Sequence, residues 1–283
     1  MENIHTTSYQ PPVAALLTQG ECQSRAPSNW LNYLELGFGP EHIPDLIRMA
    51  TDEKLHLAPS DTLEVWAPIH AWHALIQLRA TEEMAEPLLL LFDMLEDDEW
   101  AMEELPEIYG MIGPAALPAL ATYIADDISH SETARIFATA SVERIGQEWS
   151  DARNQCVELL TRQLERFAEI EPDVNASTIL ALVELQAREA APVIEHAFAA
   201  KRVDLLLIGG WDDVQVELGL KSPQEIQQKQ LSLSAQIISP LTNTDQHGIS
   251  SHRVSPKLLH GQKADCKKAK SKMTKQSRKK NRK

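Results

Sequence analysis

The chain has 283 residues, 43% of them apolar, so it is long enough to bury a sizeable core. The formal net charge of −14 is unevenly distributed along the chain. Residues 1–220 hold 12 Lys and Arg against 38 Asp and Glu, whereas residues 221–283 hold 15 Lys and Arg against 3 Asp and Glu. Three scattered cysteines exclude a disulfide framework and a four-cysteine zinc site, and without a signal-like start or a membrane-length apolar stretch we expect a cytoplasmic protein with no membrane span.

Residues 1–28 mix Pro, Gly, Ser and Thr with one apolar patch, and they predict a partly ordered lead-in. From Asn29 onward a proline-led phrase recurs, and each proline precedes a large aliphatic residue by two positions. Proline is tolerated in the first turn of a helix, where its missing N–H would have had no intrahelical partner. A helix is therefore predicted to begin near each of these prolines: Pro44, Pro87, Pro118 and Pro192.

A second set of apolar segments provides each proline-led helix with a partner. The 74 residues from Pro118 to Pro192 leave room for one further unit, which we expect near Asn154 with Cys156 on its apolar face. Residues 29–220 are therefore predicted to form about five helix pairs in a stacked repeat. The partner segments are Pro68–Leu78, Met102–Ile112, Thr133–Ile145 and Ala176–Leu185.

The C-terminal quarter has a different composition. Ser222, Pro223 and Glu225 form a helix-start signature of cap, first-turn proline and returning carboxylate, so residues 221–241 are predicted to be a short helix and linker. Residues 242–283 are rich in Ser, Thr, Gln, His and Lys. Too little apolar surface remains there to offset the entropy of ordering, which predicts a disordered basic tail.

Three stretches carry a family resemblance. GMIGPAALPALATYIAD (Gly110–Asp126), ALVELQAREAAPVIEHAFAA (Ala181–Ala200) and NYLELGFGPEHIPDLIRMATDE (Asn32–Glu53) resemble HEAT-type helical repeats, including the phycobilisome lyase HEAT-like type and uncharacterised bacterial HEAT-like proteins. The resemblance implies an all-α, right-handed α-α superhelix. It says almost nothing about activity.

Trp66, His70, Trp72 and His73 cluster around the third helical segment. His70 and His73 could share one helix face and begin a metal site, but no third ligand or HExxH phrase accompanies them. Core packing with partly exposed imidazoles is therefore favoured over a metal site, and a ligand groove is the remaining alternative. We predict no metal and no cofactor.

Carboxylates are dense at Glu96–Glu99, at Glu103 and Glu104, and at Asp212 and Asp213. Acid and base catalysis would require one of them to have a raised pKa in a dry pocket, and such runs are usually solvated. No phosphate loop and no nucleophile with its base is present. The sequence thus favours a protein that is not an enzyme, with an acidic face for a basic partner.

We therefore expect a scaffold or adaptor that binds a protein or peptide, with candidate contact residues Trp66, His70, Trp72, His73, Trp100 and Trp211. For the tryptophans, burial in the core is as consistent with the sequence as contact with a partner. The tail can bind RNA, DNA or ribosomes without sequence specificity. The alternatives are that it only increases solubility or that it lies against the acidic residues 1–220 of the same chain. The candidate polyanion-binding residues are Lys267, Lys268, Lys270, Lys272, Lys275, Arg278, Lys279, Lys280, Arg282 and Lys283.

Two alternative functions stay open. The family resemblance implies a bilin lyase or chromophore chaperone, although no residue marks a bilin site. The basic tail allows an adaptor on ribosomes or nucleic acid. An anionic membrane is disfavoured at this point, because the tail has no apolar face to insert.

Overall fold

The computed structural model describes residues 9–22 and 27–228, apart from the side chains of residues 99, 100 and 102. This part of the chain contains helices and turns and no strand, which confirms the all-α prediction. One compact unit comprises Met1–Pro223, and a second comprises Gln224–Lys283, of which residues 224–228 are described and helical. The predicted tail at 242–283 and most of the predicted linker at 221–241 lie outside the described residues.

The helices follow one another with short turns. The α-helices are α1 (Ile43–Ala50), α2 (Glu53–His56), α3 (Ala67–Gln77), α4 (Thr81–Ala85), α5 (Leu90–Met94), α6 (Glu99–Ile112), α7 (Leu117–Ala125), α8 (Glu132–Glu148), α9 (Arg153–Glu165), α10 (Pro172–Glu184), α11 (Ala191–Ala199), α12 (Leu205–Ile208) and α13 (Trp211–Glu217). Turns of 3-10 helix cover Val13–Thr18, Pro27–Asn29, Pro40–His42, Glu64–Trp66, Pro87–Leu89, Gly113–Ala116 and Arg188–Ala190.

The predicted prolines begin helices. Pro44, Pro118 and Pro192 each lie in the first turn of an α-helix, and Pro87 opens a 3-10 turn that leads into α5. The additional unit predicted near Asn154 is α9, and the side chain of Cys156 is fully buried there. The local rule about first-turn prolines therefore located these helix starts correctly.

The helices pack in two layers within the first unit. In one layer α3 contacts α6, α6 contacts α8, and α8 contacts α10. In the other, the Pro87–Leu89 turn contacts α7, α7 contacts α9, and α9 contacts α11. The two layers also contact each other, because α8 packs against α7 and α9, and α9 packs against α10.

Three helices end with a residue other than glycine in the left-handed region of backbone conformation. Arg79, Gln186 and Lys201 adopt positive φ angles of 58°, 54° and 58° just after α3, α10 and α11. In each case the next residue's N–H bonds the carbonyl five positions back, at 2.9–3.1 Å. This is the Schellman ending, a position at which glycine is usually preferred.

The turn between α6 and α7 depends on a glycine. Gly113 has a φ of 78°, and a Cβ built there would lie 2.6 Å from the indole of Trp149. Trp149 is 45% exposed, and its indole N–H donates to the carbonyl of Gly110 at 2.8 Å. The indole is therefore fixed against the start of the turn.

One stretch of the described chain, Glu103–Ala125, is long and apolar enough to cross a membrane. It comprises α6, the 3-10 turn and α7, and Gly113 at positive φ interrupts the regular helix between them. More than half of the stretch is buried among other helices. These features are those of interior helices in a packed fold.

Replacing Lys201 by glycine is expected to raise the free energy of unfolding by about 0.5–1 kcal/mol. A side chain in the left-handed region costs about 1–2 kcal/mol, and the extra freedom of glycine in the unfolded chain removes part of that gain. Urea unfolding of Lys201→Gly measures the change. Lys201→Ala is the control and should give no gain, because alanine retains the Cβ; equal stabilisation by both variants would contradict the explanation.

Candidate functional site

The third helical segment, which carries three of the predicted contact residues, is buried. Trp72 has no exposed surface, and the side chains of His70 and His73 are 3% and 2% exposed. The Trp72 indole donates to the carbonyl of Ala50 at 3.1 Å. In this structure these three side chains pack in the core against residues of their own chain, and the two imidazoles are buried, whereas the sequence analysis expected them to be partly exposed.

His70 joins three parts of the chain through its ring. The hydroxyl of Tyr33 lies 2.6 Å from Nδ1, and the carbonyl of Gly20 lies 2.9 Å from Nε2. A carbonyl can only accept, so Nε2 carries the proton and Nδ1 accepts from Tyr33. Burial lowers the pKa of His70 and thereby favours this neutral form.

Cys22 touches His70 without forming a catalytic pair. Its sulfur lies 3.5 Å from Nδ1 and 3.4 Å from Nε2, so it is equidistant from the two nitrogens and aligned with neither lone pair. Both nitrogens already have shorter partners. Burial raises the pKa of the Cys22 thiol to about 12, which disfavours the thiolate that a nucleophile requires.

His73 lies in an adjacent buried environment. Its ring stacks on Trp30 with centroids 3.6 Å apart, and its Nε2 lies 3.8 Å from a carboxylate oxygen of Glu104, which is 1% exposed. Burial lowers the pKa of His73, and Glu104 opposes that effect. No group of three or more His, Cys, Asp or Glu side chains within the described ranges is arranged to hold a metal ion.

The other predicted contact residues differ in position. Trp66 is half-buried in the 3-10 turn before α3, and Trp211 is half-buried at the start of α13, with its ring 5.9 Å from that of Phe198. Partner contact through these two stays a prediction. The side chain of Trp100 and all of the predicted polyanion-binding residues from Lys267 to Lys283 lie outside the described part of the chain.

A groove of about 520 Å³ opens between α4 and α7. Its lining contains three carboxylates and several small and apolar side chains, with no Lys or Arg. A cationic side chain with an aliphatic stem would match both properties. The lining residues are Glu82, Ala85, Glu86, Leu89, Ala115, Pro118, Ala119, Thr122, Tyr123, Asp126 and His130.

Two of the lining residues, Tyr123 and His130, belong to a polar triad with Asp93. Oδ2 of Asp93 accepts from the hydroxyl of Tyr123 at 2.6 Å and lies 2.8 Å from Nδ1 of His130. The rings of Tyr123 and His130 stack with centroids 3.6 Å apart. Asp126 beside them accepts from the backbone N–H of Ser129, which lowers the pKa of its carboxyl.

The groove lies within a segment of one charge sign. Residues 80–134 contain fourteen Asp and Glu residues and no Lys or Arg. Several acidic side chains of this segment, among them Glu82 and Glu86, are exposed. Arg144 and Arg166 from outside the segment pair with its Glu107 and Asp127. The excess of carboxylates over these two cations favours cationic partners over anionic ones.

Comparison of the chain with protein-family models, with curated proteins and with solved structures gives no match. The resemblance to HEAT-type repeats therefore rests on the repeated phrases of the sequence.

The sequence analysis did not predict two features of the structure. The groove combines residues from three separate segments, and no single motif marks it. Glu143 on α8 is the other feature: burial and the nearby carboxylate of Glu184 raise its pKa to about 7, although Nε2 of Gln147 donates to it at 2.9 Å. The acidic runs chosen from the sequence are different residues, because a pKa depends on burial that sequence does not display.

Replacing Tyr33 by phenylalanine is expected to lower the free energy of unfolding by about 1–3 kcal/mol, because the buried Nδ1 of His70 loses its donor. Chemical unfolding with circular dichroism measures the loss. Cys22→Ala is the comparison and should cost less, since neither ring nitrogen depends on the sulfur. A larger loss for Cys22→Ala than for Tyr33→Phe would contradict this description of the cluster.

Replacing Glu143 by glutamine is expected to stabilise the protein more at pH 8 than at pH 5. The raised pKa means that the folded state holds a proton that an ordinary glutamate releases near pH 4.5, so wild-type stability declines as the pH rises through about 7. Glutamine removes this decline. Urea unfolding at pH 5 and pH 8 measures the change in stability. Glu165→Gln, at an exposed glutamate, is the control. An equal effect of Glu143→Gln at both pH values would contradict the prediction.

Proposed function

We propose that this protein is a helical scaffold that binds a Lys- and Arg-rich protein segment in the groove between α4 and α7. The observation that carries the proposal is a groove lined by Glu82, Glu86 and Asp126, with no Lys or Arg among its lining residues. A cationic segment would gain complementary charge along its length, and its aliphatic stems would cover the apolar floor.

The open shape and apolar lining of the groove fit an extended polypeptide segment as its ligand. It is an open groove on the surface, and Leu89, Ala115 and Ala119 form its apolar part. Tyr123 and His130 are already hydrogen-bonded to Asp93, so these two lining side chains would lose little freedom when a ligand binds. Such a surface favours recognition over chemistry.

The packing of helices in two layers also supports the proposal of a HEAT-like superhelix, in which successive helix pairs present an extended binding surface. Within that architecture the groove is formed by the turns and second helices of neighbouring pairs. The bilin-related function and the adaptor on ribosomes or nucleic acid remain alternative hypotheses, and no contact among the described residues favours either of them.

Replacing Glu82 and Glu86 together by glutamine is expected to weaken the binding of a fluorescent Lys- and Arg-rich peptide on the order of tenfold, because two carboxylates that face the ligand lose their charge. Fluorescence anisotropy with the full chain measures the dissociation constant. Affinity should also fall as salt is raised, since exposed charges are screened.

The matched control is Glu165→Gln with Glu195→Gln, which removes two exposed carboxylates away from the groove. Equal loss in both double variants would show that only the net charge matters, and the groove would then be excluded as the site. A full-length variant with the Lys and Arg residues of 267–283 changed to glutamine is also informative: tighter peptide binding by that variant would show that the tail competes for the groove.

A further inference from the structure

The imidazole ring of His130, which lines the groove between α4 and α7, is held in a fixed orientation. One face of the ring stacks on Tyr123, with 19° between the ring planes, and Nδ1 lies 2.8 Å from the carboxylate of Asp93. The side chain of His130 nevertheless keeps 23% of its surface exposed. Because Tyr123 covers one face and Asp93 covers the Nδ1 edge, the exposed surface lies on the opposite face and the remaining edges.

The turn that carries His130 is also held in place, because it is anchored at both ends. The carboxylate of Asp126 accepts from two backbone N–H groups of the turn, at 2.9 and 3.1 Å. At the other end, the hydroxyl of Ser131 donates to Glu96 at 2.6 Å and accepts from a backbone N–H in the first turn of α8. The position of the imidazole is therefore set before a ligand binds, which lowers the entropic cost of binding.

The same turn contributes a carboxylate to the groove. Asp126 lies four positions before His130, and both residues line the groove. Glu82 and Glu86 add two further carboxylates to the lining. The groove thus combines negative charge with one face of a flat aromatic ring.

Arginine and lysine would interact differently with such a lining. A guanidinium is planar and weakly hydrated, it stacks on aromatic faces, and its N–H donors form a fork that matches a carboxylate. An ammonium is a compact, strongly hydrated charge, which pairs with carboxylates but gains less from lying on a ring. The carboxylates of the groove would attract both cations, whereas the exposed face of His130 would distinguish between them.

We propose that the groove selects arginine over lysine, with the guanidinium stacked on the exposed face of His130 and hydrogen-bonded to Asp126. This inference rests on the proposed binding of a Lys- and Arg-rich segment in the groove, and it assigns the specificity of that binding to His130. Asp93 acts as a positioning residue, because it holds the imidazole ring without itself lining the groove.

Two labelled peptides of equal length and charge test the proposal, one with arginine and the other with lysine as its only type of basic residue. Fluorescence anisotropy with the full chain is measured at pH 8, where histidine side chains are ordinarily neutral. We expect the arginine peptide to bind about three- to fivefold more tightly, because a cation stacked on a ring at an exposed site gains that much. His130→Leu should remove most of this preference, whereas His130→Phe keeps a flat ring and should keep it.

The control is His196→Leu, at an exposed histidine of α11 that does not line the groove, and it should keep the wild-type preference. Thermal unfolding followed by circular dichroism shows whether each variant is folded. If neither peptide binds the wild type, the proposed function is overturned and this inference with it. Equal affinity of the wild type for both peptides would overturn the selectivity alone, and so would a preference that His130→Leu leaves unchanged.

Discussion

The architecture depends on the need to cover α8 on several sides. Its buried residues include Arg135, Phe137, Thr139, Val142 and Ile145, which point in different directions around the helix. A helix that is buried nearly all round cannot exist on one face of a domain. It contacts α5, α6, α7, α9 and α10, and a Cβ at Gly146 would meet Leu185 at 2.8 Å. The neighbouring pairs are therefore necessary for each other's stability.

Much of the fold could be predicted because its signals are local. A proline in a first turn marks a helix start whatever packs around it, so Pro44, Pro118 and Pro192 were informative. The groove and the raised pKa of Glu143 could not be predicted, since both arise from segments that meet only in the folded chain. The burial of the aromatic cluster could not be predicted either. Trp72 and His73 lie in a stretch whose composition fits a surface as well as a core, and the structure buries both side chains.

Charge of opposite sign dominates two parts of the sequence. The segment from 80 to 134 has no positive side chain and surrounds the groove with carboxylates, whereas the chain beyond residue 220 is basic. At physiological ionic strength such fields act over about 8 Å. A cationic segment in the groove would therefore respond mainly to the carboxylates closest to it.

The fixed indole of Trp149 has a consequence for how motion in this protein can be followed. Its N–H is bonded to the backbone at the end of α6, while its ring stays in partial contact with water. Separation of α6 from α8 would break that bond and hydrate the ring before the rest of the core is exposed. Emission from this one tryptophan, with the others replaced, would therefore report local opening at the centre of the helix stack apart from global unfolding.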